Sequence, residues 1–349
     1  MKTVIDCRKL GDLGIGTYID GLVAQLRRLD SRNDYALLCF SRDAEYLRQY
    51  FPTRTVSAGL YSAAELVQVS RAVASERADL FHSPHYVLPF FLPCRTVVTV
   101  HDLIHVLFPE YLHGSAQRIY ARFFIRRAMR IAAAVITVSD TSRSDMVERY
   151  RWAADRIHRV YNGVHPHFTT HVAGSCGDAP YFLYVGNNKP HKNLPVLLQA
   201  FEALRGETRD VGLRIAGFAE RLEGRPDGAE VLGCVTQERL VDLYRSALAL
   251  ICPSRYEGFG LPAIEAQASG CPVAASDIPV FRETLGDSAL LCRQGDAGAV
   301  ASAMRRLLDE PGLREELIRR GRANAQRFSF ETCARETLAI YERVASAPA

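Results

Sequence analysis

The sequence predicts an α/β chain made of two doubly wound, Rossmann-like units that face a cleft. Three observations carry that expectation. Short apolar runs typical of buried parallel strands recur along the chain. Each half repeats the order strand, polar or glycine-bearing loop, helix. Between the halves, residues 166–179 are short of apolar side chains and rich in Gly, Thr, Ser and His, which makes them the best linker. A length of 349 residues leaves room for two cores, and 48% hydrophobic residues suit a globular α/β protein.

The chain is organised around residues 253–279, PSRYEGFGLPAIEAQASGCPVAASDIP. The apolar run ALALIC at 247–252 precedes it as a strand. Gly258 and Gly260 then open a loop whose backbone can approach a ligand closely. Pro262 and Gly270 bracket a short helix over 262–269, and the next strand covers 273–275. A strand, a glycine loop and a helix N-terminus together offer N–H groups and a positive dipole end to an anion. Glu257, expected at the end of the strand, and Glu265, expected in about the first helical turn, frame that anion site. This layout suits a nucleotide-sugar, with N–H groups for the diphosphate and carboxylates for sugar and ribose hydroxyls.

The string EGFGLPAIEAQASGCPV resembles the paired-glutamate signature of the group 1 family of retaining glycosyltransferases, which have the GT-B fold. The resemblance runs across nearly the whole chain. It implies an acceptor-side domain over 1–170, a nucleotide-sugar-binding domain over 171–328, and a terminal helix over 329–349 that returns to the first domain. It also implies that Glu257 holds sugar hydroxyls and Glu265 the ribose. Gly258, Phe259, Gly260 and Leu261 then line the donor site.

The remaining elements follow in order. A first strand at 3–6 leads to the loop CRKLGDLGIGTY and a helix from about 17 to 29. The glycines do not fit G-x-G-x-x-G, because Ile19 stands where the third would be, so a flexible loop facing the cleft is expected. By resemblance, Gly14, Gly16 and Thr17 lie near the donor phosphate and acceptor. Strands are expected at 35–40, 79–82, 95–100 and 132–139, and helices at 64–77, 118–130 and from 141 to 148. The strand RTVVTV at 95–100 ends directly at His101 and Asp102, the end of a parallel strand where ligands bind. The string HDLIHVLFPEY resembles the acceptor-side loop of mannosyltransferase-like members, which implies that His101 contacts the donor sugar and Asp102 orients its ring. His105 and His113 carry no such warrant. The turn VYNGV at 160–164 resembles the hinge-proximal turn of the family.

In the second half, YFLYV at 181–185 is a strand, followed by the loop GNNKPHKN and a helix at 195–204. Lys192 matches the family lysine that binds the donor diphosphate, where a point charge meets the charge developing on the leaving group. Asn187 stands where the family often has an arginine, which leaves the leaving group to Lys192, the helix N-terminus and backbone amides. Strands at 212–217 and 231–235 place Gly217, Cys234 and Val235 beside the nucleobase by resemblance. Helices are expected at 236–248, 311–327 and 328–342.

Composition narrows the function classes. A formal net charge of +4 gives no general footprint for nucleic acid. The nine cysteines are scattered and read as reduced core thiols. No signal-peptide pattern and no long apolar run occurs, so a cytoplasmic protein is expected, with peripheral contact to the membrane face as an option. That option rests on Arg118, Arg122, Arg126, Arg127 and Arg130, which interleave with apolar residues on one helix. The first reading of this helix is an ordinary surface helix with arginines on its wet face. No Asp-x-Asp and no His/Cys cluster of ligand spacing occurs, so no metal and no cofactor are expected. The function implied is retaining, metal-independent transfer of a hexose from a nucleotide-diphosphate sugar, with GDP-mannose favoured, to a glycan or polyprenyl-linked acceptor. A UDP-sugar transferase, a sugar-nucleotide epimerase and a silent nucleotide-binding subunit stay open.

Overall fold

The computed structural model describes residues 1–112, 114–170, 179–208, 210–218 and 222–347. His113 and most of the expected linker, residues 171–178, lie outside the described residues. The chain forms two compact units, Met1–Gly163 with Ser329–Ala349, and Val164–Phe328. The first boundary falls before the expected 170, for a packing reason. Phe168 is buried, and its ring meets Tyr244 of the second unit at 6.0 Å.

In the first unit the described strands are β1 (Lys2–Asp6), β2 (Asp34–Cys39), β3 (Thr53–Thr55), β4 (Leu80–Ser83), β5 (Arg95–Thr99), β6 (Ala134–Thr137) and β7 (Ile157–Arg159). They form one parallel sheet in the order β3-β2-β1-β4-β5-β6-β7. Side chains alternate between two buried faces, as the period of two demands. Val4, Leu38, Phe81 and Val98 pack on one face, and Ile5, Leu37, Leu80 and Val97 on the other.

The helix Leu13–Leu29 begins four residues earlier than the sequence suggests, so Gly14, Gly16 and Thr17 lie in its first turns and not in a flexible loop. The reason is local. Gly16 N–H donates to Asp12 O at 2.5 Å, and a Cβ at Gly16 would stand 2.0 Å from Leu10 O. Only glycine lets the incoming chain fold so tightly over the helix start.

The terminal helix Phe330–Ser346 belongs to the first unit and packs along Leu13–Leu29. The buried Phe330 ring fills the space where a Cβ on Gly21 would lie. Its polar groups enter a buried network: Tyr341 Oη lies 2.5 Å from His82 Nδ1, His82 Nε2 lies 2.8 Å from Thr99 Oγ1, and Thr99 Oγ1 lies 3.1 Å from Tyr18 Oη. Burial lowers the His82 pKa to about 3, so the network is neutral.

The second unit carries β8 (Tyr181–Val185), β9 (Gly212–Ala216), β10 (Ala229–Gly233), β11 (Ala249–Cys252), β12 (Val273–Ser276) and β13 (Leu290–Cys292). These are parallel in the order β10-β9-β8-β11-β12-β13. Phe182, Leu213, Ile215 and Ile251 belong to its core, against Leu197, Phe201 and Met304. Among the described residues, no helix is long and apolar enough to cross a membrane.

Candidate active site

In a doubly wound sheet the winding reverses between two neighbouring strands, and their outgoing loops part to leave a crevice. In the second unit that point lies between β8 and β11. The loop after β8 carries Asn187 and Lys192; the loop after β11 carries Ser254, Glu257 and Gly260. Arg255 N–H donates to His191 O at 2.7 Å, which ties the two loops together.

A cavity opens there, lined by Tyr184, Lys192, Cys252, Ser254, Glu257 and Phe281 among others. Lys192 Nζ lies 2.7 Å from Glu257 Oε1, and Ser254 Oγ donates to the same oxygen at 2.7 Å. Burial pushes the Glu257 pKa up, but the Lys192 charge and the two hydrogen bonds outweigh it and leave the pKa lowered. Glu257 is therefore a carboxylate with Lys192 held beside it. It stands five residues past the end of β11, not at the strand terminus, because Pro253 and the residues after it form loop.

The helix after this loop runs Leu261–Ala268, and no side chain caps its N-terminus. Gly260 precedes it at φ 85, and a Cβ there would strike the Phe281 ring at 2.4 Å. Phe259 is buried, its ring edge-on to that of Phe328 at 5.3 Å. Leu261 and Gly258 flank the uncapped turn. Glu265 sits in the second turn instead of the first, and its side chain is buried, with Tyr244 Oη donating to Oε2 at 3.2 Å. Burial raises its pKa to about 7, against the opposing effect of that hydrogen bond. The two glutamates therefore differ in kind: one is a fixed anion, the other titrates near neutrality.

Gly217, just past β9, lies so close to the loop after β8 that its Cβ would come within 2.6 Å of Gly186 O. Asn187 uses its backbone oxygen to accept from Tyr184 Oη at 2.7 Å, and its Oδ1 accepts from Lys189 N–H at 3.2 Å. β10 ends at Gly233, so Cys234 and Val235 occupy the following loop and not a strand; Cys234 is exposed.

His101 belongs to the first unit, with Gly14, Gly16 and Thr17. Its Nε2 donates to Pro84 O at 3.1 Å, and the Tyr18 ring meets it edge-on at 5.1 Å. The Pro84 carbonyl holds the ring, while Asp102 Oδ1 accepts from Ile104 N–H at 2.9 Å, so the expected orienting role passes to Pro84. Burial lowers the His101 pKa to about 4, and the imidazole is neutral at pH 7. Thr17 Oγ1 donates to Leu13 O at 3.1 Å within its own helix. Ser254 and Tyr244 contact the two glutamates and were not singled out from the sequence. Ser254 had a signal, standing three residues before Glu257 in the same loop; Tyr244 had none.

Comparison with known proteins decides the family. The model described as "Glycosyl transferases group 1" matches residues 171–324, and "Glycosyltransferase Family 4" matches residues 14–168. O-antigen chain mannosyltransferase B of Escherichia coli is 32% identical over 285 residues, covering 75% of this chain and 74% of that protein. The chain belongs to the group 1 glycosyltransferases. Their GT-B architecture appears in the solved structures that match. Sucrose-phosphate synthase from Thermosynechococcus elongatus superposes with a TM-score of 0.80 at 20% identity, over 100% of both chains. Anabaena HepE in complex with UDP-glucose gives 0.76 at 19%, covering 99% of this chain and 100% of that one. As a group 1 glycosyltransferase, the chain is an enzyme of glycosyl transfer. Among the described residues no group of three or more His, Cys, Asp or Glu side chains could hold a metal ion.

The buried Glu265 makes stability depend on pH. Its folded pKa lies above the ordinary 4.5, so its contribution is complete below about pH 4.5 and lost as pH rises through about 7. The unfolding free energy of the wild type in urea should therefore fall with rising pH, relative to Glu265→Gln, by up to about 1.4 kcal/mol per pH unit across this window. Parallel profiles would contradict the assignment.

Proposed function

We propose that this glycosyltransferase moves mannose from GDP-mannose to a hydroxyl of a glycan or lipid-linked glycan, with retention at the anomeric carbon and without a divalent metal. The observation that carries the reading is the Lys192–Glu257 pair at 2.7 Å, set between β8 and β11 beside an uncapped helix N-terminus. Lys192 and the loop amides would receive the diphosphate, Glu257 the sugar hydroxyls, and Glu265 the ribose. Neutral His101 would contact the sugar as hydrogen-bond partner and not as a cation. In the step itself the bond from C1 to the phosphate oxygen breaks as a bond from C1 to the acceptor oxygen forms on the same face. The acceptor proton passes to the departing phosphate oxygen. The preference for mannose draws on the Escherichia coli relative, which is named a mannosyltransferase. Gly217, Cys234 and Val235 would flank the base.

We also place the acceptor at a membrane surface. On the helix Ser115–Ile131, Arg118, Arg122, Arg126 and Arg130 follow one another at i, i+4 and are all exposed. Among the described residues no carboxylate pairs with any of the four. Like charges so spaced disfavour an isolated helix, and an anionic surface relieves them. Ile119 and Phe123 stand exposed on the same helix at 68% and 49%. The sequence alone favours a simple wet face; two large exposed apolar side chains among the arginines favour the lipid.

Two measurements test these readings. Glu257→Ala should abolish mannose release from GDP-mannose in a radiometric assay while the protein keeps its wild-type circular dichroism; wild-type turnover would refute the donor assignment. In co-sedimentation with phosphatidylglycerol vesicles, the wild type should pellet at low salt. Arg122→Glu with Arg126→Glu should stay in the supernatant, and equal pelleting would remove the membrane face.

A further inference from the structure

The crevice between β8 and β11 is balanced in charge. Among the described residues that line its cavity, Lys192 is the only cation and Glu257 the only carboxylate. The two side chains are 14% and 12% exposed, and Nζ stands 2.7 Å from Oε1. A pair so far from water interacts strongly, and removing one partner leaves the other at a cost. Ser254 Oγ donates to the same Oε1 at 2.7 Å, so Oε2 is the oxygen that accepts from no described residue. Asn187, in the loop after β8, brings no charge. A diphosphate that reaches Lys192 therefore meets a cation already matched, beside a carboxylate that repels the incoming charge.

We propose that this ion pair biases the crevice toward a nucleotide-sugar and against the bare nucleoside diphosphate that the transfer leaves behind. The inference rests on the donor reading above, in which Lys192 meets the diphosphate and Glu257 the sugar hydroxyls. A bare diphosphate draws the Lys192 charge away from Glu257 and returns nothing, because ionised phosphate oxygens accept hydrogen bonds and do not donate them. Its terminal phosphate also carries a second ionisable oxygen, so Glu257 repels it more than it repels a sugar ester. A sugar on the diphosphate brings hydroxyl donors to the same carboxylate, and hydrogen bonds to a charged group are the strong ones. The amides at the start of the helix Leu261–Ala268 do not discriminate, since they attract the phosphates of either ligand alike. Once the sugar has been transferred, Glu257 loses those donors, and the pair favours departure of the nucleotide.

The test is isothermal titration of GDP and of GDP-mannose into wild type and Glu257→Gln, with no acceptor present. The amide keeps the size of the side chain and removes its charge. Affinity for GDP should rise by about tenfold in Glu257→Gln, while affinity for GDP-mannose does not rise. A pair that merely held the two loops together would give losses for both ligands. Should Glu257→Gln fail to fold by circular dichroism, Ser254→Ala leaves both charges in place. It removes the hydrogen bond that supports Glu257 when Lys192 turns to phosphate, and should weaken GDP more than GDP-mannose. Equal shifts for the two ligands in the folded variants overturn the bias and leave the donor reading standing. Binding of neither ligand to wild type overturns the donor reading, and the bias with it.

Discussion

Parallel winding constrains this protein more than any single contact. A strand order that reverses direction once must leave a gap between the loops of its two central strands, at their carboxyl ends. Both sheets have that gap, at β1/β4 and at β8/β11, and both gaps hold buried charge. Elsewhere on these sheets a charge would face apolar packing and carry a desolvation cost of several kcal/mol. At the gap, paired side chains and loop groups offset that cost.

The second unit uses the gap to create a difference between two like groups. Glu257 and Glu265 are eight positions apart and chemically identical, yet Lys192 and Ser254 keep one ionised while burial beside Tyr244 raises the other to about 7. Glu257 can accept from hydroxyls throughout the physiological range. Glu265 has one hydrogen-bond donor, Tyr244, whose bond opposes the effect of burial without overcoming it. The first unit shows the converse in His82 and His101, which burial keeps neutral and which act as dipoles.

How much of this the sequence displayed follows from the range of each interaction. The inner strands were legible because apolar runs report burial on both faces. The edge strands β3 and β13 were not, since three residues are too few to show a period. The start of the helix Leu13–Leu29 was hidden by its glycines, which disfavour a helix in isolation, although Gly16 is required here by the tight approach of Leu10. Lys192, Glu257 and Glu265 stood out through resemblance, although the pairing of Lys192 with Glu257 joins positions 65 apart.

The central claim is that the β8/β11 crevice receives a nucleotide diphosphate through Lys192. Isothermal titration of GDP in the presence of a chelator tests it most directly, with wild type against Lys192→Met. The account predicts metal-free binding to wild type and at least about tenfold weaker binding to the variant. Equal affinity in the two proteins, or no binding to wild type, would contradict it.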